Sequence, residues 1–266
     1  MTKTLPLPGA DFTGKRVLVT GAAGIFGRWI AEAFDVAGAT LLLSDRDEGA
    51  LQDFAATLAR PALIHRTELA DNASIEDLIA MVGREWGAAD ILVNNAGIYP
   101  SGFLLDVDAD EWDRIFDINL RAPFLLTRGI ATQMVRQEVK GNIIMISSGA
   151  ARKMRTTAAP YSISKSALDR LTKGFAVELA EYGIRCNAVE PGFAAGSSAS
   201  PLPEAHVKAV TAGIPLGRAS NPEDAPAAVM FLASDAASFI TGATLSVDGG
   251  GSAGTILVHQ DKKKAL

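Results

Sequence analysis

Tyr161 and Lys165 stand four residues apart in the segment Pro160-Tyr-Ser-Ile-Ser-Lys165. On a helix that spacing puts both side chains on one face. Pro160 suits a first helical turn, so Tyr161 would sit near the positive end of the helix dipole. An unperturbed phenol titrates near about 10, too high for ready proton transfer at neutral pH. A neighbouring ammonium favours the phenolate and makes such a pair a candidate general acid/base. Taken alone, the spacing is more often an ordinary feature of a surface helix.

A second group of residues could hold an anion. The run Arg16-Val-Leu-Val-Thr20 leads into Gly21-Ala-Ala-Gly24-Ile-Phe-Gly27 and then a helix-like stretch. A strand, a glycine turn and a helix N-terminus together can cradle a pyrophosphate. Gly21 would make the tight turn, Gly24 would let the backbone approach the phosphates beside Ile25 and Phe26, and Gly27 would pack helix on strand. A plain strand–helix connection remains open on these residues alone. Asp45 ends the second strand candidate, 24 residues after Gly21, where a carboxylate can accept hydrogen bonds from an adenosine ribose. It would repel a 2'-phosphate, which favours NAD over NADP. Arg46 beside it could turn to such a phosphate, and a solvated loop is the plain alternative.

These residues need a scaffold. Short β-branched or apolar runs at 16–20, 40–44, 62–66, 90–94, 142–147, 184–190 and 243–247 read as strands. Helical periods lie between most of them, at 27–37, 74–86, 110–137 and 160–181. That alternation predicts an α/β fold: a single doubly wound Rossmann domain with a mostly parallel seven-stranded sheet and helices on both faces. The core would span about 12–251, with tails at 1–11 and 252–266. The stretch 193–212, rich in Ala, Ser, Gly and Pro, reads as a lid over substrate. Ligands in such sheets gather at the carboxyl ends of the strands, where each motif here lies.

At 266 residues, with 48% hydrophobic and 21% charged residues, the chain reads as folded and soluble. A net charge of -5 argues against nucleic acid as main partner. Lys262-Lys263-Lys264 reads as a solvated tail. The single cysteine, Cys186, precludes an intrachain disulfide, and the three scattered histidines lack metal-ligand spacing, so no metal is expected. No run approaches the roughly 20 apolar residues of a membrane helix. The expected location is the cytoplasm.

With Asn94-Asn-Ala-Gly97 and Tyr161-Ser-Ile-Ser-Lys165 added, the chain resembles the short-chain dehydrogenase/reductase family. The likeness spans about 12–251 and includes Asn119, Ser148 placed 13 residues before Tyr161, Pro191-Gly192 and the late run from Ile214 to Gly250. The resemblance implies an NAD(P)-dependent oxidoreductase that interconverts a secondary alcohol and a ketone. Hydride would pass directly between substrate and nicotinamide. Tyr161 would be the general acid/base. Ser148 would hold the substrate oxygen, Lys165 would also grip the nicotinamide ribose, and Asn119 would anchor a proton-relay water. Lowering the phenol by two to three units corresponds to roughly 3–4 kcal/mol, within reach of two nearby cations, Lys165 and the oxidised nicotinamide. Glu68, Leu69, Asn94, Ala96, Gly97, Pro191, Gly192 and Phe193 join the glycine turn and Asp45 as expected cofactor contacts. A homotetramer or homodimer pairing the helices around 110–137 and 160–181 is implied as well.

The chain departs from the family's pattern in places. Ile25 replaces the middle glycine of T-G-x-x-x-G-x-G, giving the turn of the longer epimerases and dehydratases, whose activity with tightly held NAD is the alternative. A non-catalytic dinucleotide-binding protein is a third reading, opposed by the intact Asn119, Ser148, Tyr161 and Lys165. Gly196 stands where a cofactor-holding threonine is usual, with Ser197 adjacent, and Glu68 replaces an adenine-side Asp. Tyr99, Met154, Arg155 and Phe193 are expected to wall the substrate site with Ser148 and Tyr161. The cations of Ala151-Arg-Lys-Met-Arg155 could meet an anionic substrate or simply form a solvated loop. Glu190 reads as structural.

Overall fold

A computed structural model of the chain describes residues 6–197, 200–254 and 256. The outer parts of both expected tails (1–5, 255 and 257–266, including Lys262–Lys264) and positions 198 and 199 of the expected lid lie outside the described residues. The strands are β1 (Arg16–Thr20), β2 (Thr40–Asp45), β3 (Leu63–Arg66), β4 (Ile91–Asn94), β5 (Asn142–Ile146), β6 (Arg185–Pro191), β7 (Gly196–Ser197), β8 (Ser200–Pro201) and β9 (Thr244–Val247). Seven of them form one sheet in the order β3-β2-β1-β4-β5-β6-β9, and every pairing within it is parallel. β7 and β8 make a separate antiparallel ribbon in the expected lid. The helices are α1 (Ile25–Val36), α2 (Glu48–Ala55), α3 (Asn72–Trp86), α4 (Ala109–Phe116), α5 (Ala122–Arg136), α6 (Ala159–Leu179), α7 (Glu204–Thr211) and α8 (Asp224–Ala233). None of the described helices is long and apolar enough to cross a membrane.

Alternate strand residues feed two apolar layers, as the pleat requires. Val17, Val19, Leu41, Leu43, Ile144 and Ile146 pack with Phe34 of α1, Phe54 of α2 and Met230 of α8. Leu18, Leu42, Leu92, Ile143 and Met145 pack with Leu78 of α3, Ile130 of α5 and Leu168 of α6. The expected N-terminal tail is not free along its described part: Leu7 and Ala10 pack on the first layer. The range 110–137 is helical but not one regular helix, because a π-helical turn, Asp117–Arg121, joins α4 to α5.

The order of strands reverses at β1, so a crevice opens between the carboxyl ends of β1 and β4. Two side chains tie this point together. Thr20 Oγ1 accepts from the Asn95 and Ala96 N–H groups at 3.1 and 3.2 Å, and Asn95 Nδ2 donates to the Thr20 and Gly21 carbonyls at 2.9 and 3.0 Å. Gly21, at φ +62°, lies against this loop: a Cβ there would come within 2.7 Å of Ala96 Cα. A Cβ on Gly27 would fall 2.1 Å from the Gly21 carbonyl oxygen and 2.8 Å from Ala22 Cα. On Gly24 it would meet only the Gly21 oxygen, at 3.3 Å. Gly21 and Gly27 are therefore required by packing, and Gly24 leaves open space at the start of α1.

Gly27→Ala is expected to destabilise the fold by about 2–3 kcal/mol, because backbone rather than a flexible side chain must give way. Gly24→Ala should cost about 1 kcal/mol as a loss at the helix cap. Urea unfolding of the two variants checks the order, and equal costs would refute it.

Candidate active site

Three elements converge at the carboxyl edge of β5. Ser148 comes just after that strand and caps a short 3-10 turn, its Oγ accepting from the Ala150 N–H at 3.1 Å. α6 begins with Pro160 in its first turn and has no side-chain cap. Tyr161 stands at that end, its hydroxyl beside Ser148 and its ring edge-on to Tyr99 at 6.2 Å between centroids. One turn further, Lys165 is 3% exposed. Its Nζ donates to the Ile146 carbonyl at 2.8 Å and lies 5.9 Å from the centre of the Tyr161 ring.

The electrostatics correct one expectation. Burial pushes the Tyr161 phenol above its ordinary range, outweighing the lowering by Ser148 and by the charge of Arg155, with Tyr99 adding to the rise. The Lys165 ammonium is fixed to the Ile146 carbonyl, 5.9 Å from the centre of the ring. In the protein alone the phenol is therefore raised rather than lowered. Burial also lowers Lys165 itself from 10.5 to about 8, against the opposing charge of Asp169.

Asn119 is fully buried in the π turn. Its Oδ1 accepts from the Ile98 N–H at 2.8 Å, and its Nδ2 donates to the Ile98 carbonyl at 2.8 Å and to Ser164 Oγ at 3.1 Å. Both amide hydrogens are thus engaged, and the side chain splints the loop after β4 to α6. Its backbone is different: the residue four positions on is Pro123, which has no N–H to give the Asn119 carbonyl.

On the cofactor side, no side chain caps α1, so the first-turn N–H groups at Ile25, Phe26 and Gly27 face the crevice mouth. Asp45 Oδ2 accepts from the Ala23 N–H at 3.0 Å, which sets its carboxylate beside the glycine turn. The uncapped helix end, the open space at Gly24 and a fixed carboxylate fit the phosphates and ribose of a dinucleotide. Gly97 lies close to Asn119 and Lys165, where a Cβ would be 3.3 Å from Oδ1 and from Nζ. Ala96 belongs to the same loop, and Leu69 is buried near its base.

Other expected contacts are directed elsewhere. The Asn94 amide is buried beneath the sheet and donates to Thr127 Oγ1 at 3.0 Å and Met145 Sδ at 3.3 Å, so its side chain does not face the crevice. Exposed Glu68 turns its carboxylate to the Ala70 N–H at 3.3 Å. Gly192 is required by Asp248, whose Cα would lie 2.8 Å from a Cβ there, and its N–H donates to the Val247 carbonyl on β9, the strand paired with Pro191. Phe193 sets its ring edge-on to His206 of α7 at 6.2 Å, bringing the lid region to the end of β6. Gly196 has φ +94°, a conformation in which a β-branched threonine would be strained. Met154 and Arg155 are exposed on the loop before α6.

Glu190 lies fully buried beneath this floor. Its Oε2 accepts from Arg152 Nε at 2.6 Å and from the Ser246 hydroxyl. Asp169, one turn after Lys165 on α6, lies beside Glu190 and Ser147, and burial with the neighbouring Glu190 pushes its carboxyl up to about 6. Asp169 Oδ1 and Glu190 Oε1 are buried with no hydrogen-bond partner among the described residues. Sequence reading missed Asp169 and Asn95. The one available signal for Asp169 was its place four residues after Lys165.

Because Lys165 titrates lower when folded than when unfolded, the unfolded chain binds more protons between about pH 8 and 10.5. Stability therefore rises across that window. Between pH 7 and pH 9.5 the native protein should gain about 2 kcal/mol relative to Lys165→Met in urea unfolding. Parallel pH profiles for the two proteins would contradict a buried ammonium.

Known proteins resemble this chain in sequence and in fold. The sequence profile of a family described as enoyl-(acyl carrier protein) reductase matches residues 21–252. A 3-oxoacyl-(acyl-carrier-protein) reductase FabG of Rickettsia typhi is 38% identical over 240 residues, covering 90% of this chain and 98% of that protein. A structure described as a putative NAD(P)-dependent gluconate 5-dehydrogenase from Beutenbergia cavernae, with bound NADP, superposes with TM-score 0.83 at 32% identity, over 92% of this chain and 99% of that one. A 4-hydroxyisoleucine dehydrogenase complexed with NADH superposes with TM-score 0.83 at 28% identity, over 91% and 100% of the two chains. The chain belongs to the short-chain dehydrogenase/reductase family and is an NAD(P)-dependent oxidoreductase acting on CH–OH groups.

Proposed function

We propose that the protein interconverts a secondary alcohol and a ketone, with Tyr161 as the proton-transfer group and NAD as the preferred cofactor. The observation that carries this reading is the placement of the Tyr161 hydroxyl beside Ser148, with the Lys165 ammonium 5.9 Å from the centre of the ring. A bound nicotinamide supplies or accepts the hydride and, when oxidised, brings the second positive charge that the phenol requires.

Ser148 and Tyr161 hold the substrate oxygen between two hydroxyls. Burial keeps Tyr161 protonated in the free protein, which suits it to donate a proton to the ketone oxygen in reduction. In oxidation the same oxygen takes the proton from the alcohol. Lys165 holds the ribose hydroxyls and adds its charge at short range. The Asn119 carbonyl, left without an i+4 donor by Pro123, anchors the water that carries the proton outward, so the backbone rather than the saturated amide does this. Asp45, fixed by Ala23, accepts from the adenosine ribose and repels a 2'-phosphate. The Rickettsia relative and the two solved neighbours act, by name, on a thioester-bound ketone, a sugar acid and a hydroxy amino acid.

A homotetramer or homodimer is part of this proposal. Phe116, Leu120 and Phe124 from the α4–α5 segment and Ala167 and Leu171 from α6 line an open apolar groove of about 570 Å³, which supports pairing of these helices with a second copy.

Tyr161→Phe is expected to lower kcat by about 10²- to 10⁴-fold with an unchanged circular dichroism spectrum. An undiminished rate of ketone reduction would overturn the mechanism. Asp45→Ala should narrow the ratio of kcat/KM for NADH over NADPH, and an unaltered ratio would remove Asp45 as the selector.

A further inference from the structure

The loop between Ser148 and Tyr161 carries three cations, and two of them are already engaged. Arg152 is paired with buried Glu190 at 2.6 Å, and Lys153 donates to the Gly251 carbonyl. The Arg155 guanidinium makes no hydrogen bond or ion pair among the described residues and is exposed. Its backbone is nevertheless fixed. The Arg155 carbonyl accepts from the Ala158 N–H at 3.1 Å, closing the turn that leads into α6. Thr157 in that turn has φ +67°, a conformation a β-branched residue adopts only when its surroundings impose it. The constraint comes from across the crevice, where the Gly102 N–H donates to the Thr157 carbonyl at 2.9 Å and Ser101 Oγ donates to Thr157 Oγ1 at 2.9 Å. The loop holding Arg155 is thereby clamped to the loop holding Tyr99, whose ring meets Tyr161.

We infer that Arg155 is a specificity-determining residue and that the natural substrate is a keto acid or hydroxy acid whose carboxylate pairs with this guanidinium. The inference rests on the alcohol–ketone reading above and names its substrate class. Lys165 flanks Tyr161 on the buried side, and Arg155 flanks it on the solvent side, close enough for its charge to act on the phenol. A substrate oxygen at Ser148 and Tyr161 therefore has one uncommitted cation toward the mouth. A single guanidinium matches a carboxylate in charge and in its two-pronged geometry. A dianionic phosphate would call for the neighbouring cations as well, and those are engaged. Exposed Tyr99 and Met154 beside it give the carbon skeleton apolar cover.

The test uses the full-length protein and matched pairs of ketones, each a 2-oxo or 3-oxo carboxylate with its amide, and one phosphorylated ketone. Wild type is expected to favour the carboxylate through KM. Arg155→Gln should lower the carboxylate-to-amide ratio of kcat/KM by about 10- to 100-fold. Arg155→Lys should give an intermediate ratio, and added salt should reduce the wild-type preference. Equal use of carboxylate and amide by wild type, a ratio unaffected by Arg155→Gln, or a preference for the phosphorylated ketone would each overturn the carboxylate assignment. Failure to reduce any ketone would instead defeat the alcohol–ketone reading, so the two failures are distinguishable.

Discussion

A positive charge held almost out of contact with water constrains the whole edge that carries the candidate site. An ammonium inside a protein needs oxygen partners, and Lys165 finds one in the last residue of β5 and a favourable field from Asp169. Those contacts fix the height of α6 on the sheet. They also fix the place of Tyr161, one turn earlier on the same helix face, and its reach to Ser148 after the same strand. Moving the amine would displace strand end, helix and phenol together.

Beneath that charge lies a second one of opposite sign. Asp169 and Glu190 come from α6 and β6, and burial together with the repulsion of Glu190 pushes the Asp169 carboxyl up. Arg152 closes the arrangement from the loop after Ser148. The floor of the site is thus an ion pair and a neighbouring carboxyl that bring together the loop, the helix and the strand that leads to Pro191. In such a network each member holds the others in place.

The sheet was legible because its strands are buried on both faces and therefore apolar nearly throughout. The predicted 142–147 and 184–190 differ from Asn142–Ile146 and Arg185–Pro191 by single residues at their ends. Gly21 and Gly27 were legible as a strand–turn–helix signal, although the close approach that demands them is to Ala96 and to the turn's own backbone. The direction of polar side chains was not legible. Asn94 and Asn95 are adjacent and identical, yet one amide enters the core while the other splints the turn, since Asn94 is the last residue of β4 and Asn95 already belongs to the turn after it. The Asp169–Glu190 contact joins separate elements and leaves no local pattern. The spacing of Tyr161 and Lys165 implied a shared face but not that the amine would bind a carbonyl behind the ring.

The π turn at Asp117–Arg121 went unseen because a search for helical periodicity assumes a constant period. Such a turn accommodates one residue more than a regular helical turn, so α5 is rotated by about 100° against α4. The two helices therefore act as blades set at different angles on one shaft. Winding the same residues at the regular helical period would swing every later side chain of α5 to a new compass bearing, lifting Leu126, Ile130 and Met134 off the sheet. The irregularity at Asn119 is thus locked in by the packing register of the fifteen residues downstream, well beyond the crevice itself.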